Sequence, residues 1–150
     1  MSKHIAIIGS GNVGKALRQG LERTGYEVRA TGREQITEAA AWADIIILAV
    51  PFAALKDVTR ALQTTADGKP VIDVTNALTP DMQLALGFST SGAEELQKML
   101  PRAHVVKEET SLPSSPAKAL RATISCVARL LVSRSSASVV GSDVPCLLYT

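Results

Sequence analysis

The feature that most constrains this fold is a glycine loop near the N-terminus, between a short apolar run and a helical stretch. Residues 4–8 form the apolar run, glycines follow at positions 9, 11 and 14, and residues 15–24 have a helical pattern. With a strand before it and a helix after it, Gly-x-Gly-x-x-Gly is typical of a loop that binds the phosphates of a dinucleotide. The sequence therefore predicts a strand–loop–helix unit with an anion site at the start of the helix.

The three glycines have different expected roles. Gly9 permits a tight turn, Gly11 lets the backbone approach a pyrophosphate without a Cβ in the way, and Gly14 lets the helix pack close to the strand. We predict that the whole loop contacts the cofactor: Gly9, Ser10, Gly11, Asn12, Val13 and Gly14. The alternative is a tight turn with a structural role only.

Composition excludes several classes of protein. The chain has 150 residues, 46% of them hydrophobic, and a net charge of +2, which describes an ordinary globular domain rather than a disordered chain. Basic residues are scattered and aromatic residues are few, so we expect no nucleic-acid partner. No apolar run approaches the ~20 residues of a membrane span, and the N-terminal run is too short for a signal peptide. Cys126 and Cys146 lack metal-ligand spacing, so we predict no metal site and a reducing, cytoplasmic setting.

Strand and helix patterns alternate over the first 107 residues. The predicted strands after the first are residues 26–31, 44–50, 71–75 and 104–107, and the predicted helices after the first are residues 34–42, 52–64 and 92–100. The third strand is a continuous β-branched run, which is typical of a parallel strand buried on both faces. The alternation predicts an α/β fold, a Rossmann-type doubly wound parallel sheet with helices on both faces.

From residue 108 onward the sequence changes character. Serine becomes frequent and the alternation fades, leaving one amphipathic helical pattern at about Ala117 to Val132. The apolar end at residues 143–150 has no obvious partner. We therefore expect a Rossmann domain at residues 1–107 and an atypical Ser-rich segment at 108–150, either a single helix or disordered. A segment of this kind would leave apolar surface of the domain uncovered. We therefore expect the folded domain to be less stable than its relatives and to self-associate as a homodimer.

The tip of the second strand indicates which dinucleotide binds. Units that prefer NAD have an Asp or Glu there, to bind the ribose hydroxyls. This chain has Thr31, Gly32 and Arg33, and the planar guanidinium of Arg33 suits the 2′-phosphate of NADP. We predict that these three residues bind NADP in preference to NAD. The alternative is that Arg33 is a solvated surface residue.

The ends of the third and fourth strands should lie at the same edge of the sheet. Ala49, Val50 and Pro51 follow the third strand, where the backbone would lie along the cofactor's ribose and nicotinamide. Asn76 follows the fourth strand and is predicted to hydrogen-bond the nicotinamide ribose or a substrate, with an Asx turn or helix cap as the alternative. Asp73 lies inside that strand and would need a partner if buried.

Together these motifs resemble the coenzyme F420-dependent NADP oxidoreductase family. The resemblance covers about residues 3–107 and rests on the glycine loop, Gly32-Arg33, Ala49-Val50-Pro51, and the segments at 71–76 and 90–96. It implies a Rossmann domain that binds NADP(H) and passes hydride between nicotinamide C4 and a small electron acceptor, F420 or flavin-like. Such a transfer depends on the alignment of two ring systems, so we nominate no catalytic acid or base.

The chain departs from the family at two points. Gly32 replaces the serine that commonly precedes the arginine, which removes one hydroxyl from the 2′-phosphate site. After Lys107 the family continues Ala-Phe-Asn-Thr, whereas this chain reads Glu108-Glu109-Thr110, as if after a shifted reading frame or an aberrant gene end. The acceptor side of the site is therefore expected to be incomplete.

Three functions remain open on the sequence. The first is an NADP(H)-dependent oxidoreductase of this family, and the second is a non-catalytic NADP(H)-binding or sensing module, which includes a truncated inactive family member. The third is another reductase with the same loop, such as an imine reductase similar to pyrroline-5-carboxylate reductase. Hydride transfer to a flavin-like acceptor distinguishes the first from the second.

Overall fold

The structure is a computed structural model that describes residues 3–75, 92–108, 121, 123–129 and 146–149. The strands in these residues form one sheet and are β1 (His4–Ile8), β2 (Glu27–Thr31), β3 (Ile45–Leu48), β4 (Pro70–Asp73), β5 (His104–Glu108) and β6 (Cys146–Tyr149). Their order across the sheet is β2-β1-β3-β4-β5-β6. The first five strands are parallel, and β6 is antiparallel to β5.

Helices connect the parallel strands and cover both faces of the sheet. In the described residues they are α1 (Asn12–Arg23), α2 (Ile36–Trp42), α3 (Leu55–Leu62) and α4 (Gly92–Met99), with a 3-10 turn at Phe52–Ala54 before α3. Residues 123–129 are also helical. The predicted fold class, a Rossmann-type α/β fold with a parallel sheet, is therefore confirmed. None of the helices described here combines the length and the apolar character needed to cross a membrane.

Successive side chains of a strand point to opposite faces of the sheet, so the core is divided into two layers. In β3, Ile46 and Leu48 belong to the layer that contains the buried residues of α2, α3 and α4. Ile45 and Ile47 belong to the opposite layer, with Leu17 of α1 and the buried residues of the helical stretch at 123–129. All four β3 side chains are 0–1% exposed. A strand covered on both faces requires apolar residues at every position, which explains the unbroken apolar run.

The expectation that the apolar end of the chain has no partner is wrong. Residues Cys146–Tyr149 form β6, which pairs with β5 so that Tyr149 lies opposite Val105 and Cys146 opposite Glu108. An uncovered β5 would present a row of unpaired N–H and C=O groups, and a four-residue strand is enough to satisfy them. The C-terminal residues are thus part of the sheet.

The helix predicted at about Ala117 to Val132 agrees with the structure over residues 123–129, and most of the other positions lie outside the described residues. Cys126 and Val127 are buried in the core layer that contains Ile5 and Ile7 of β1. The described parts of 108–150 therefore pack on the sheet, and the division of the chain at residue 107 stays a prediction.

The connections place a crevice at one edge of the sheet. From β1 the chain crosses to β2 on one side, and from β2 it returns to β3 on the other side of β1. The chain thus reverses its direction of winding between β1 and β3. In open parallel sheets, ligands bind outside the carboxyl ends of the strands at such a switch point. The glycine loop follows β1 and lies at this point.

Candidate functional site

The turn after β1 is tightly enclosed at Gly9. Its φ is 133°, and a Cβ added there would lie 2.1 Å from the carbonyl oxygen of Ala49. Its N–H donates a hydrogen bond of 2.8 Å to the carbonyl oxygen of Thr31. Both the positive φ and the contact with Ala49 require glycine at this position. The loop is therefore fixed between the ends of β2 and β3.

Gly14 fixes the distance between the loop and α1. A Cβ on Gly14 would lie 2.0 Å from the carbonyl oxygen of Gly9, much closer than any Cβ contact in a folded protein. Gly14 is buried in the first turns of the helix. Any larger residue would push α1 away from the turn, so this glycine sets where the helix N-terminus lies.

Gly11 has the opposite environment. A Cβ added to Gly11 would have no atom within 4 Å, so in the described residues the space beside it is open. Gly11 is the N-cap of α1, no side chain caps the helix, and its first turn contains no acidic residue. The first N–H groups of a helix lack partners within it and lie at its positive end. The open space beside Gly11 therefore suits an anion.

The tip of β2 lies beside this loop. A Cβ on Gly32 would be 3.5 Å from the hydroxyl oxygen of Ser10, an ordinary contact distance. The hydroxyl of Thr31 donates to the carbonyl oxygen of Glu34 and so closes the turn after β2. Arg33 is exposed on this turn and makes no salt bridge with a described residue. Its guanidinium is available to a ligand.

These parts surround one cavity of about 550 Å³. Eight of its lining residues belong to the predicted set: Gly9, Ser10, Gly11, Gly32, Arg33, Ala49, Val50 and Pro51. The volume is within the ~300–1,000 Å³ of small-molecule sites. The structure therefore brings together residues from the ends of three strands, as the sequence predicted for a dinucleotide site.

The other predicted residues that the structure describes do not line the cavity. Asn12 and Val13 are exposed in the first turn of α1, Gly14 is buried beneath it, and Thr31 contributes its backbone to the turn. Asn76 lies outside the described residues, so its role stays a prediction. Val13 is 53% exposed, the only large apolar side chain of the described residues with such exposure.

Six lining residues were missed by the sequence reasoning: Ile36, Ala53, Ala54, Asp57, Val58 and Ala61. They come from α2, from the 3-10 turn and from α3, which pack against each other on one face of the sheet. Two signals in the sequence indicate them. Ala53 and Ala54 come shortly after Pro51, with Phe52 between them. Ala61 is one helical turn from Asp57 and Val58, so small residues recur next to the crevice.

A buried charged group lies at the ends of β4 and β5, outside the cavity lining. Asp73 is 0% exposed and accepts hydrogen bonds from the backbone N–H of Thr75 (2.8 Å) and from its hydroxyl (2.5 Å). Lys107 donates to the same carboxylate. Asp73 therefore has the partners that the sequence required of a buried acid.

Two other features of the described residues are distinct from the site. A smaller cavity of about 250 Å³ lies beside β2, among Arg18, Arg29, Gln35 and Glu38. It lacks the glycine loop and the N-terminus of α1. In the same described part of the chain, no three His, Cys, Asp or Glu residues are grouped as metal ligands.

Comparison with known structures gives the same fold. Pyrroline carboxylate reductase from Plasmodium falciparum, solved with NADP bound, is 16% identical with a TM-score of 0.53 over 70% of this chain. Glycerol-3-phosphate dehydrogenase from Coxiella burnetii is 18% identical with a TM-score of 0.62 over 91%. A hypothetical protein from Sinorhizobium meliloti is 25% identical with a TM-score of 0.58 over 80%. The chain spans 41%, 52% and 66% of these proteins, respectively, less than two thirds of each.

The sequence comparison agrees with the motifs. No curated protein gives a match. The family model described as NADP oxidoreductase, coenzyme F420-dependent, matches residues 4–41 and 34–77, which include the glycine loop, the tip of β2 and the end of β3. The resemblance inferred from those motifs is confirmed over residues 4–77, which are similar to the coenzyme F420-dependent NADP oxidoreductase family.

Proposed function

We propose that the cavity binds NADP(H) and that the chain is the nucleotide-binding part of an oxidoreductase. The observation on which this rests is that three features meet at one cavity: the open space beside Gly11, the N-terminus of α1, and the guanidinium of Arg33, which makes no salt bridge with a described residue. The first two suit a pyrophosphate and the third suits a 2′-phosphate. The family description and the NADP in the P. falciparum structure support the same cofactor.

The cofactor would extend from Arg33 across the loop toward the end of β3. Its adenosine half would lie between α2 and α3, its pyrophosphate beside Gly11, and its nicotinamide half beyond Ala49 and Pro51. Asn76 is proposed to contact the nicotinamide ribose.

Bound NADPH supplies a hydride at nicotinamide C4, and the chain's own residues bind and orient the cofactor. Orientation is the main requirement of a hydride transfer between two rings, so no residue of this chain is assigned as acid or base. We propose that the acceptor is a small molecule with a flavin-like ring: either F420, which the family description names, or a flavin. We also propose that the chain forms a homodimer.

Imine reduction is the second candidate. Structures of pyrroline-5-carboxylate reductase, of a reductive aminase and of an imine reductase share the fold at TM-scores of 0.53–0.55. We place the flavin-like acceptor first because the family model that matches residues 4–77 is described as coenzyme F420-dependent. A binding module without turnover is the third outcome.

The test is calorimetric titration of the full chain with NADPH and NADH, followed by an assay of NADPH oxidation. F420, FMN, FAD and pyrroline-5-carboxylate are supplied in separate reactions. We expect NADPH to bind more tightly than NADH and to be oxidised by F420 or a flavin. Oxidation by the pyrroline alone would select the imine reductase, and binding without any oxidation would select the sensing module. Absence of NADPH binding would contradict the proposal itself.

A further inference from the structure

Two charged residues line the cavity in the described part of the chain, and they have opposite signs. Arg33 lies at the tip of β2, and Asp57 lies in the first turn of α3. The proposed function explains the arginine and leaves the acid unexplained. A carboxylate at a site for a polyanion weakens binding unless it faces a hydrogen-bond donor of the ligand. The ligand should therefore present a donor near Asp57.

The cavity wall beside these two residues is apolar. Ile36 of α2 is 7% exposed and Val58 of α3 is 4% exposed, while Ala54 and Ala61 are half-buried and small. An apolar wall with a few polar groups at its rim is typical of a small-molecule site and suits a planar ring. If Arg33 holds the 2′-phosphate, the base attached to that ribose is the ring that reaches this wall.

We propose that Asp57 determines which purine the cavity accepts, by taking a hydrogen bond from the exocyclic 6-amino group of adenine. The inference rests on the proposed NADP(H) site. An ionised carboxylate accepts hydrogen bonds and donates none. Adenine presents an amino donor at position 6, whereas a 6-oxo purine presents a carbonyl acceptor there. Opposite position 6, Asp57 therefore attracts the amino group of adenine and repels the carbonyl oxygen of hypoxanthine or guanine.

The other contacts of Asp57 are weak enough to be exchanged for this one. Its carboxylate lies 3.8 Å from the guanidinium of Arg60, and the two side chains are 84% and 70% exposed. Ion pairs with such exposure contribute little to stability. An acid in the first turn of α3 also interacts favourably with the positive end of the helix, at the rim of the cavity.

The experiment compares NADP⁺ with nicotinamide hypoxanthine dinucleotide phosphate, in which a carbonyl replaces the 6-amino group. Dissociation constants are measured by calorimetry on the full chain. For the natural chain we expect NADP⁺ to bind about 10-fold more tightly, the lower end for a hydrogen bond to a charged group. In Asp57→Asn the ratio should fall close to one, because an amide both accepts from the amino group and donates to the carbonyl.

Glu38→Gln is the matched control, since it removes the same charge from an exposed residue of α2 that does not line this cavity. In Glu38→Gln the ratio of the two dissociation constants should equal that of the natural chain. An equal ratio for the natural chain and Asp57→Asn, or a change of both affinities by the same factor, would overturn the role of Asp57. If the natural chain binds neither dinucleotide, the NADP(H) site itself is wrong, and this inference is wrong with it.

Discussion

The ammonium of Lys107 lies 3.2 Å from the carboxylate of Asp73 and joins the carboxyl ends of β5 and β4. The same ammonium donates a 2.6 Å hydrogen bond to the carbonyl oxygen of Thr75. Asp73 is 0% exposed, and the Lys107 side chain is 23% exposed. The N–H of Val74 in turn donates to Leu48 of β3. This ion pair therefore holds the carboxyl ends of β4 and β5 together, at the point where the chain leaves β4.

Removal of Lys107 should strongly destabilise the fold. In Lys107→Met the carboxylate of Asp73 stays buried without its counter-ion, which in buried pairs costs about 3–5 kcal/mol. Urea unfolding measures the loss. The double variant Asp73→Asn/Lys107→Met should recover much of it, because the amide oxygen still accepts from Thr75 and no charge remains buried.

Lys98→Met serves as the control for that experiment. It breaks an exposed ion pair of 2.8 Å with Glu95 by the same substitution, and exposed pairs contribute little. Its unfolding midpoint should stay close to that of the natural chain. If the two lysine variants lose the same free energy of unfolding, then the burial of Asp73 is not what makes Lys107 important.

Gly11 and Gly14 should respond in opposite ways to substitution. Gly11→Val adds a side chain in open space, so the sheet should fold normally while the pyrophosphate loses its place and NADPH binding is abolished. Gly14→Ala adds a methyl group 2.0 Å from the backbone of Gly9, so it should lower the melting temperature. Circular dichroism and calorimetry separate the two effects. Unchanged NADPH affinity in a folded Gly11→Val protein would disprove the phosphate site.

Much of this site could be predicted because it depends on local sequence. The strand, loop and helix around Gly9 are adjacent in the chain, and the ends of parallel strands meet at one edge by topology alone. The position of Asp57 could not be predicted, since it depends on how α3 packs against α2 across the face of the sheet. Pairing of β6 with β5 joins residues about 40 apart and follows from no local pattern. The register that places Lys107 opposite Asp73 is also a tertiary property.

The choice of cofactor should depend on Arg33. In Arg33→Ala the 2′-phosphate loses its guanidinium, and NADPH binding should weaken by about 1.5–3 kcal/mol, the usual contribution of a hydrogen bond to a charged group. NADH lacks this phosphate, so its affinity should hardly change. Arg23→Ala at the end of α1 is the control, because Arg23 is exposed and does not line the cavity. Equal losses for NADPH and NADH would mean that Arg33 stacks on the adenine and does not select the phosphate.

The C-terminal residues should stabilise the sheet more than they contribute to nucleotide binding. A chain ending at Glu108 loses β6, which leaves the edge of β5 unpaired, and loses Cys126 and Val127 from the core layer of Ile5 and Ile7. Each exposed core side chain costs about 1.5–3 kcal/mol, so the melting temperature should fall markedly and the truncated chain should self-associate. Because no residue after 108 lines the cavity among those described, NADPH binding should stay measurable in the fraction that remains folded. Sedimentation velocity, melting and calorimetry on the two chains provide the comparison. A truncated chain as stable and as monomeric as the full chain would show that β6 and the helical stretch at 123–129 do not belong to the cooperative fold.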